Sequence, residues 1–322
     1  MQGKVKTDNT MPAVYVGIDV SKEHLDIYLH PLGEHFAVAN DAGGWRHLLR
    51  RLTKLTVALV VLEPTSKYHR ATHRHLHAAE IPTALINPLR ARLFAQACGE
   101  RAKTDRIDAR MLALFGERMA PGIVAPPTLD EEELEELASA RSTAIAERVA
   151  MQNRLGITTT TFLRRELSIR LRSLTAHIKR LEQKIEQMIA ADPRMARRSA
   201  ILRSIPGIGP VATLAILSGL REIGTLTAKQ AAALAGLAPY PRDSGSSHKP
   251  RFIRGGRSSL RTALYMAALV ASRHNPSLAD FYKHLRENGK PAKVALTAIA
   301  RKIIVLANSL VAQNRNWMPI PA

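Results

Sequence analysis

The sequence predicts an α/β domain with a mixed sheet, followed by a mostly helical half. Short apolar runs alternate with helical patterns over the first 120 residues. A Pro-rich segment, Pro121–Asp130, then interrupts the pattern, and the chain beyond it is helical and highly charged. Alternation of strands and helices favours a sheet with helices packed on it, so the break near residue 125 predicts a domain boundary.

The first three strands are predicted from apolar and alternating runs. Ala13–Val20 is apolar, His24–His30 alternates between apolar and polar residues, and His35–Asn40 follows a turn. Alternation with a period of two is typical of a half-buried strand, and short turns join neighbouring strands into a meander. Asp41 then stands where a helix N-cap is expected, before a helix that ends near Leu52.

The rest of the first domain predicts two more strands and their helices. Residues 56–64, TVALVVLEP, form a continuous β-branched run, which is typical of a strand buried on both faces. A His-rich helix, the strand Thr83–Asn87 and helices over residues 88–119 follow. The order β-β-β-α-β-α-β-α therefore predicts a mixed sheet flanked by helices.

The helical half begins with a predicted hairpin of two long helices, roughly over residues 130–155 and 165–190. Apolar residues step by four and three along the second helix, as in a coiled-coil seam. An ordinary helical hairpin packed on the domain is the alternative. A coiled-coil arm would help to assemble a dimer or tetramer. The seam consists of Leu174, Ile178, Leu181, Ile185 and Met188.

The charge balance indicates a polyanionic partner. The 322 residues include 47 Lys and Arg but 27 Asp and Glu, a formal charge of +20. Half of that excess lies in residues 242–302, with 13 basic and three acidic residues. Such an excess suits nucleic acid first and an acidic membrane surface second. No basic amphipathic helix or lipidation motif supports binding to a membrane. Cys98 is the only cysteine in the sequence, so no intrachain disulfide can form and a reducing cytoplasm is expected.

Four carboxylates form the strongest candidate site. Asp105 and Asp108 lie three residues apart, about 60° apart on one face of a helix. Asp19 and Glu63 lie near the ends of the first and fourth strands, and they emerge together if those strands are neighbours. Converging carboxylates repel unless cations bind between them, which predicts two Mg²⁺ ions, with Mn²⁺ as a substitute. Surface acids with local salt bridges are the alternative.

Two further segments predict phosphate contacts. In SIPGIGPVATLAIL, Gly207 and Gly209 form a turn between helices that exposes N–H groups to a phosphate, as in a helix-hairpin-helix motif. The alternative is a tight turn that needs glycine for packing. The run KPRFIRGGRSSLR carries five basic residues and no acid, which favours phosphate contacts over a merely solvated loop. Those residues are Lys249, Arg251, Arg254, Arg257 and Arg261.

The motifs together resemble one family. YVGIDVSKEHLD, LEPTSKY, INPLRARLFA and KTDRIDARMLA resemble the RuvC-like half of DEDD-type transposases of the insertion-sequence-one-ten family, which are related to Piv DNA invertases. SIPGIGPVATLAIL, LAGLAPYPRDSGSS and LRTALYMAALVA resemble its C-terminal half. One departure is Ser66, where members of the family commonly have glycine.

The resemblance implies a fold and a chemistry. It implies an RNase H-like catalytic domain over residues 1–125, a coiled-coil arm over 126–195 and a C-terminal transposase domain over 196–322. It further implies that Asp19, Glu63, Asp105 and Asp108 bind metal. A nucleophilic serine in DSGSS would join DNA covalently, and a guide RNA encoded by the element would choose the DNA sites. The expected partners are the element's ends, target DNA and further copies of the chain near the nucleoid.

The choice of serine and two alternative functions stay open. The residues alone do not choose among Ser244, Ser246 and Ser247; the resemblance aligns Ser244 with the nucleophile. A RuvC-type junction resolvase would use metal-activated water and need no serine. A non-catalytic architectural DNA-binding protein would use only the hairpin turn and the basic run, and would leave the four carboxylates without a role.

Overall fold

The structure is a computed structural model, and it describes residues 12–64, 66–100, 104–241 and 251–319. The chain divides into two compact units, Met1–Pro127 and Thr128–Ala322. Ser244 and Lys249 lie outside the described residues.

The first unit contains a five-stranded mixed sheet in the order β3-β2-β1-β4-β5. The first three strands form the expected antiparallel meander, while β4 runs parallel to β1 and β5 runs parallel to β4. This arrangement agrees with the RNase H-like fold that the resemblance implies. The strands are β1 Val14–Val20, β2 His24–His30, β3 Glu34–Ala39, β4 Val57–Leu62 and β5 Thr83–Leu85.

Helices cover both faces of this sheet. Alternate residues of β1, such as Val16 and Ile18, pack in an apolar cluster with Leu48 of α1 and Leu76 of α2. On the opposite face, α4 packs through Leu112 against the inner strands. Asp41 caps α1 as expected, since its side chain accepts a hydrogen bond from the Gly44 N–H at 2.8 Å. The helices are α1 Ala42–Leu52, α2 His69–Ala78, α3 Pro88–Ala97 and α4 Asp105–Met119.

Gly17, in the middle of β1, sets how closely α4 approaches the sheet. A Cβ atom at this position would lie 1.9 Å from the Ala109 carbonyl oxygen and 2.4 Å from the Ala113 backbone nitrogen. Both are helix backbone atoms and cannot move aside as a side chain would. The absence of a side chain at Gly17 therefore lets α4 lie directly on β1, with its first turn beside the carboxyl end of that strand.

In its described residues the second unit is almost entirely helical, with one short two-stranded ladder. A capping box begins α5, in which the Thr128 and Glu131 side chains each accept from the other's backbone N–H. Its elements are α5 Leu129–Ile157, α6 Thr161–Ala191, α7 Pro193–Arg203, α8 Pro210–Gly219, α9 Ala228–Leu234, β6 Pro239–Tyr240, β7 Phe252–Ile253, α10 Ser258–His274, α11 Pro276–Glu287 and α12 Ala292–Ala312.

The two long helices α5 and α6 form a hairpin within the chain. Ile178 and Ile185 of the predicted seam are buried, and the ion pair Arg141–Glu182, at 2.6 Å, joins the two helices. The seam thus packs on α5 of the same molecule, and Ile185 also joins the core of the second unit. Polar substitutions in this seam would therefore disrupt the hairpin itself, so they cannot test whether several chains assemble.

Helix α12 is long and apolar enough to cross a membrane by length and composition alone. In this fold it is the central helix of the second core. Ile299, Ile303 and Ile304 are all fully buried there among other apolar side chains. Core helices of globular units satisfy the same length and composition test, so these features do not indicate a membrane span.

Candidate active site

Asp19 and Glu63 lie side by side at the carboxyl edge of the sheet. The parallel pairing of β1 with β4 ends at Ile18 opposite Leu62, and each carboxylate follows one residue later. Both residues are half-buried. The condition on which the sequence-based prediction depended, that the first and fourth strands are neighbours, is therefore met.

The first turn of α4 contributes Asp105 and Asp108. Thr104 caps this helix by accepting a hydrogen bond from the Ile107 N–H at 3.3 Å. Asp105 is exposed and Asp108 is half-buried. Two acids in the first turn also suit the positive end of the helix dipole. Because Gly17 lets α4 rest on β1, these acids come close to the strand that carries Asp19.

The electrostatics of Asp19 show that the four carboxylates interact. Burial raises the pKa of Asp19, and the charges of Asp105, Asp108 and Glu63 raise it further, to about 6 from an ordinary 3.8. A hydrogen bond from the Val20 N–H to Asp19 Oδ1, at 3.0 Å, acts in the opposite direction. Three carboxylates from two other elements thus act on the carboxyl group of Asp19.

The four carboxylates are suitable ligands for a divalent cation, although they do not form a complete coordination site. In residues 12–64, 66–100, 104–241 and 251–319, no three His, Cys, Asp or Glu side chains stand close enough to hold one ion. The set is nevertheless made only of carboxylate oxygens, the ligands that Mg²⁺ and Mn²⁺ prefer. The repulsion that raises the pKa of Asp19 is the charge that a bound cation would neutralise.

We expect Asp19→Asn to stabilise the metal-free protein at pH 8. A carboxyl whose folded pKa of about 6 exceeds its unfolded value of 3.8 contributes a cost that is absent below the lower value and complete above the higher one. The asparagine variant should therefore gain on the order of 1 kcal/mol at pH 8, after allowance for solvent screening, and less at pH 5.

Urea unfolding in EDTA measures this difference. In a Trp317→Phe background, Trp45 is the remaining tryptophan and reports on the first unit alone. The prediction would be contradicted if the difference in free energy of unfolding between variant and parent does not increase from pH 5 to pH 8.

Ser66, in the loop after Glu63, has a left-handed backbone. Its φ is +49°, a region in which a residue with a Cβ atom is strained. The strain explains why glycine suits this position in the family that the sequence resembles. We expect Ser66→Gly to raise the free energy of unfolding by about 0.5–1 kcal/mol, measured by Trp45 fluorescence as above. Ser66→Ala keeps the Cβ atom and should give no gain; an equal gain would show that backbone strain is not the cause.

A further carboxylate, which the sequence motifs do not predict, lies on the same face. Asp26 of β2 pairs directly opposite Asp19 of β1, so the two side chains share the face that α4 covers. His35 Nε2 lies 3.5 Å from Asp26 Oδ1. The alternating pattern of His24–His30 placed Asp26 on the polar face of its strand, but only the register places it beside Asp19.

The two glycines of the turn before α8 have different roles. Gly207 has a φ of +106°, and a Cβ atom there would lie 2.6 Å from Ala271 Cβ in α10. Gly207 is therefore required for the turn and for packing, as the alternative interpretation held. Gly209 is exposed, has open space around it and begins α8 without a side-chain cap. Its position leaves the N-terminal end of α8 facing solvent.

The basic run divides into internal and exposed residues. Arg257 donates to both carboxylate oxygens of Glu222, at 2.9 and 2.8 Å. Burial raises the pKa of Glu222, but the hydrogen bond and charge of Arg257 outweigh it, and the pKa is lowered. Arg261 donates to the Gly255 carbonyl at 2.8 Å. Arg251 and Arg254 are exposed, and the Arg254 guanidinium lies 5.6 Å from the ring centre of Tyr240.

We therefore expect Arg254→Ala and Arg257→Ala to have different effects. Arg254→Ala should flatten the dependence of log K on log salt for duplex DNA by about 0.9, because one phosphate contact is lost. Arg257→Ala should leave that slope unchanged and lower the free energy of unfolding by about 1–2 kcal/mol, because Glu222 loses a bidentate hydrogen-bond partner. Binding titrations between 50 and 200 mM salt measure the slopes; a flatter slope for Arg257→Ala alone would reverse the assignment.

Two family models match the chain. One, a DEDD transposase model of the IS110 type, matches residues 16–162. The other, described as the transposase IS116/IS110/IS902 family, matches residues 199–283. The first match includes all four carboxylates of the candidate site, and the second includes the turn before α8 and the basic run.

Individual relatives agree with these matches. The pilin gene-inverting protein of Moraxella bovis is 28% identical over 319 residues, which cover 95% of this chain and 98% of the relative. The putative transposase y4rJ of Sinorhizobium fredii is 28% identical and covers 91% and 90%. Among solved structures, T. thermophilus RuvC in complex with a Holliday junction substrate aligns at 14% identity with a TM-score of 0.29, covering 35% of this chain and 99% of that one.

Proposed function

Because this chain belongs to the IS110-family DEDD transposases and is a DNA-rearranging enzyme, we propose that it cuts and rejoins DNA at the ends of a mobile element. The observation that carries the proposal is the site at the carboxyl edge of the sheet, where Glu63, Asp105 and Asp108 all raise the pKa of Asp19. A surface with unrelated acids would not concentrate charge on one partly buried carboxyl group. The name of the Moraxella relative, which inverts a gene, supports strand exchange as the reaction class.

Asp19, Glu63, Asp105 and Asp108 would hold the divalent cations, Mg²⁺ with Mn²⁺ as a substitute. Two bound ions would supply charge stabilisation at the scissile phosphate and favour the ionised form of the attacking group. The four residues come from two strand ends and one helix, so the fold itself keeps like charges together. Burial at this edge strengthens the interaction between these carboxylates and any bound charge.

Ser244 would be the nucleophile, as the resemblance implies. Its hydroxyl oxygen forms a bond to a phosphorus atom of the DNA backbone, one bridging P–O bond breaks, and the departing DNA oxygen takes up the proton. The reverse reaction with the hydroxyl of another strand rejoins DNA and releases the serine. Each step exchanges one phosphodiester for another, so no energy cofactor is needed, in agreement with the lack of a nucleotide-binding motif in the sequence.

DNA binding would rest on the second unit. The exposed N-terminal end of α8 at Gly209 suits a phosphate, because the first N–H groups of a helix have no partner within it and the helix dipole favours an anion. Arg251 and Arg254 add exposed positive charge, with Lys249 near them in sequence. Three functional regions follow from this assignment: catalysis in 1–125, the helical arm in 126–195 and DNA contacts with the serine in 196–322.

Three further elements of the proposal come from the family resemblance. An element-encoded guide RNA selects the DNA sites, the protein works as a dimer or tetramer, and it acts on the nucleoid in the cytoplasm. The net charge of +20 is large enough to accommodate RNA as well as DNA.

One experiment tests the proposed function as a whole. The purified protein, with its co-purifying RNA, is incubated with supercoiled DNA that carries the element's ends, in Mg²⁺ or in EDTA. Recombinant junctions in Mg²⁺ only, together with a protein–DNA adduct that survives denaturation, are expected. Cutting without an adduct would replace the serine mechanism with the metal-water resolvase. DNA binding without any cutting in Mg²⁺ would leave an architectural protein.

A further inference from the structure

We propose that Asn40 is a positioning residue that ties the loop after Asp19 to the loop after Glu63. The inference rests on the proposed function, since it concerns the same carboxylates. Asn40 follows β3 and belongs to none of the motifs that predicted the site. Its role therefore emerges only from the hydrogen bonds of its side chain.

The amide nitrogen of Asn40 reaches both loops. Nδ2 donates to the Ser21 carbonyl oxygen at 2.9 Å and to the Tyr68 carbonyl oxygen at 3.2 Å. Ser21 comes two residues after Asp19, and Tyr68 comes five residues after Glu63. One NH₂ group thus joins two backbone segments that are 47 residues apart in the chain.

The amide oxygen of Asn40 is held from the other side. Oδ1 accepts from Trp45 Nε1 at 2.9 Å and from Thr72 Oγ1 at 3.2 Å. Two donors on one side and two carbonyls on the other permit only one orientation of the amide, and they use its full hydrogen-bonding capacity. The Asn40 N–H also donates to the Glu23 carbonyl oxygen at 2.8 Å, which fixes its backbone.

The link matters because the sheet stops holding the two strands together just before the carboxylates. The last β1–β4 pair is Ile18 with Leu62. Asp19 and Glu63 follow this pair on adjacent strands, and two neighbouring carboxylates repel one another. The Asn40 amide opposes that repulsion by a second connection on the far side of the two carboxylates. No other residue type of this size offers two donors and two acceptor sites on one rigid plane.

A role in general stability would predict something different. All four bonds would then contribute alike, and loss of the Thr72 bond would matter as much as loss of the Nδ2 bonds. The positioning role depends only on the two hydrogen bonds that the Asn40 amide nitrogen donates. Asn40→Asp keeps the acceptor oxygen for Trp45 and Thr72 but turns an oxygen toward two carbonyls, while Thr72→Val is isosteric and removes one bond on the oxygen side only.

The test compares Asn40→Asp, Asn40→Ala and Thr72→Val in the full-length protein. Calorimetric titration with Mn²⁺ measures cation affinity, and hydrogen exchange with mass spectrometry measures opening of residues 20–23 and 66–69. Both Asn40 variants should bind Mn²⁺ at least about 10-fold more weakly and exchange at least about 10-fold faster in both segments, a factor of ten corresponding to the loss of roughly one net hydrogen bond. Thr72→Val should stay within about twofold of the parent in both measurements.

The outcomes separate this inference from the proposed function. Parent-like exchange in both segments for both Asn40 variants would overturn the link, as would equal losses of Mn²⁺ affinity in Thr72→Val. If the parent binds Mn²⁺ no better than Asp19→Asn, the metal site itself fails, and faster exchange in the Asn40 variants would still establish the link. Asn40→Ala provides the comparison without an added negative charge, because Asn40→Asp could attract Mn²⁺ by its charge.

Discussion

Alanine in place of Asp19, Glu63, Asp105 or Asp108 is expected to abolish strand exchange. Each change removes one oxygen ligand from a shared site, and loss of a single group that stabilises transition-state charge costs about 10²–10³-fold in rate. Loss of a bound cation as well should take the rate below detection. The measurement is the yield of recombinant junctions in Mg²⁺, with DNA binding assayed in parallel.

A matched control lies on the same helix as two of these acids. Glu117 of α4 lies near the other end of the helix, with Glu117 Oε1 3.2 Å from His30 Nε2. Glu117→Gln should recombine at nearly the parental rate, because it removes an acid that does not act on Asp19. Near-normal recombination by two of the four alanine variants would refute the shared site. Trp45 fluorescence in the Trp317→Phe background checks that the variants without recombination are folded.

Alanine in place of Ser244 is expected to eliminate the covalent adduct while DNA and RNA binding stay normal. The hydroxyl oxygen is the atom that would bond to phosphorus, so its loss leaves no route to the intermediate and none of the products that depend on it. Gel analysis of denatured reactions with end-labelled DNA detects the adduct. Its amount should fall below about one thousandth of the parental level, as for loss of a covalent nucleophile.

Ser246→Ala and Ser247→Ala are the matched controls, since they lie in the same short segment. Both should retain adduct, because the proposal gives them no bond to DNA. An adduct in Ser244→Ala that disappears in one of the other two would move the nucleophile to that serine. DNA cleavage by all three without any adduct in the parent would leave water as the attacking group.

Much of the first unit was predictable because its signals are local. The alternating run His24–His30 and the β-branched run of β4 identify strands without reference to the rest of the chain. Asp41 as a helix cap is equally local, because capping involves neighbouring N–H groups. The same holds for the placement of Asp19 and Glu63 at strand ends and of Asp105 and Asp108 on one helical face.

The second unit was harder to predict, because a basic residue or a glycine can serve either ligand binding or internal packing. The run that contains Arg254 and Arg257 reads as one basic segment, yet Arg257 is paired with Glu222, which is 35 residues distant in the chain. Gly207 fits a phosphate-binding turn by its pattern, yet its lack of a side chain is also required by Ala271. Neither partner is recognisable from local sequence, since both contacts depend on how distant helices pack.

Residue types and short spacings are enough to predict the order of strands and helices, the positions of the four acids and the positive charge. Whether the four acids interact depends instead on the tertiary fold. It places β4 beside β1, lets α4 rest on Gly17, and brings Asn40 between the two loops. Close packing and hydrogen bonding act between residues that are far apart in the chain, so no local sequence pattern predicts the distance between a carboxylate and its neighbours.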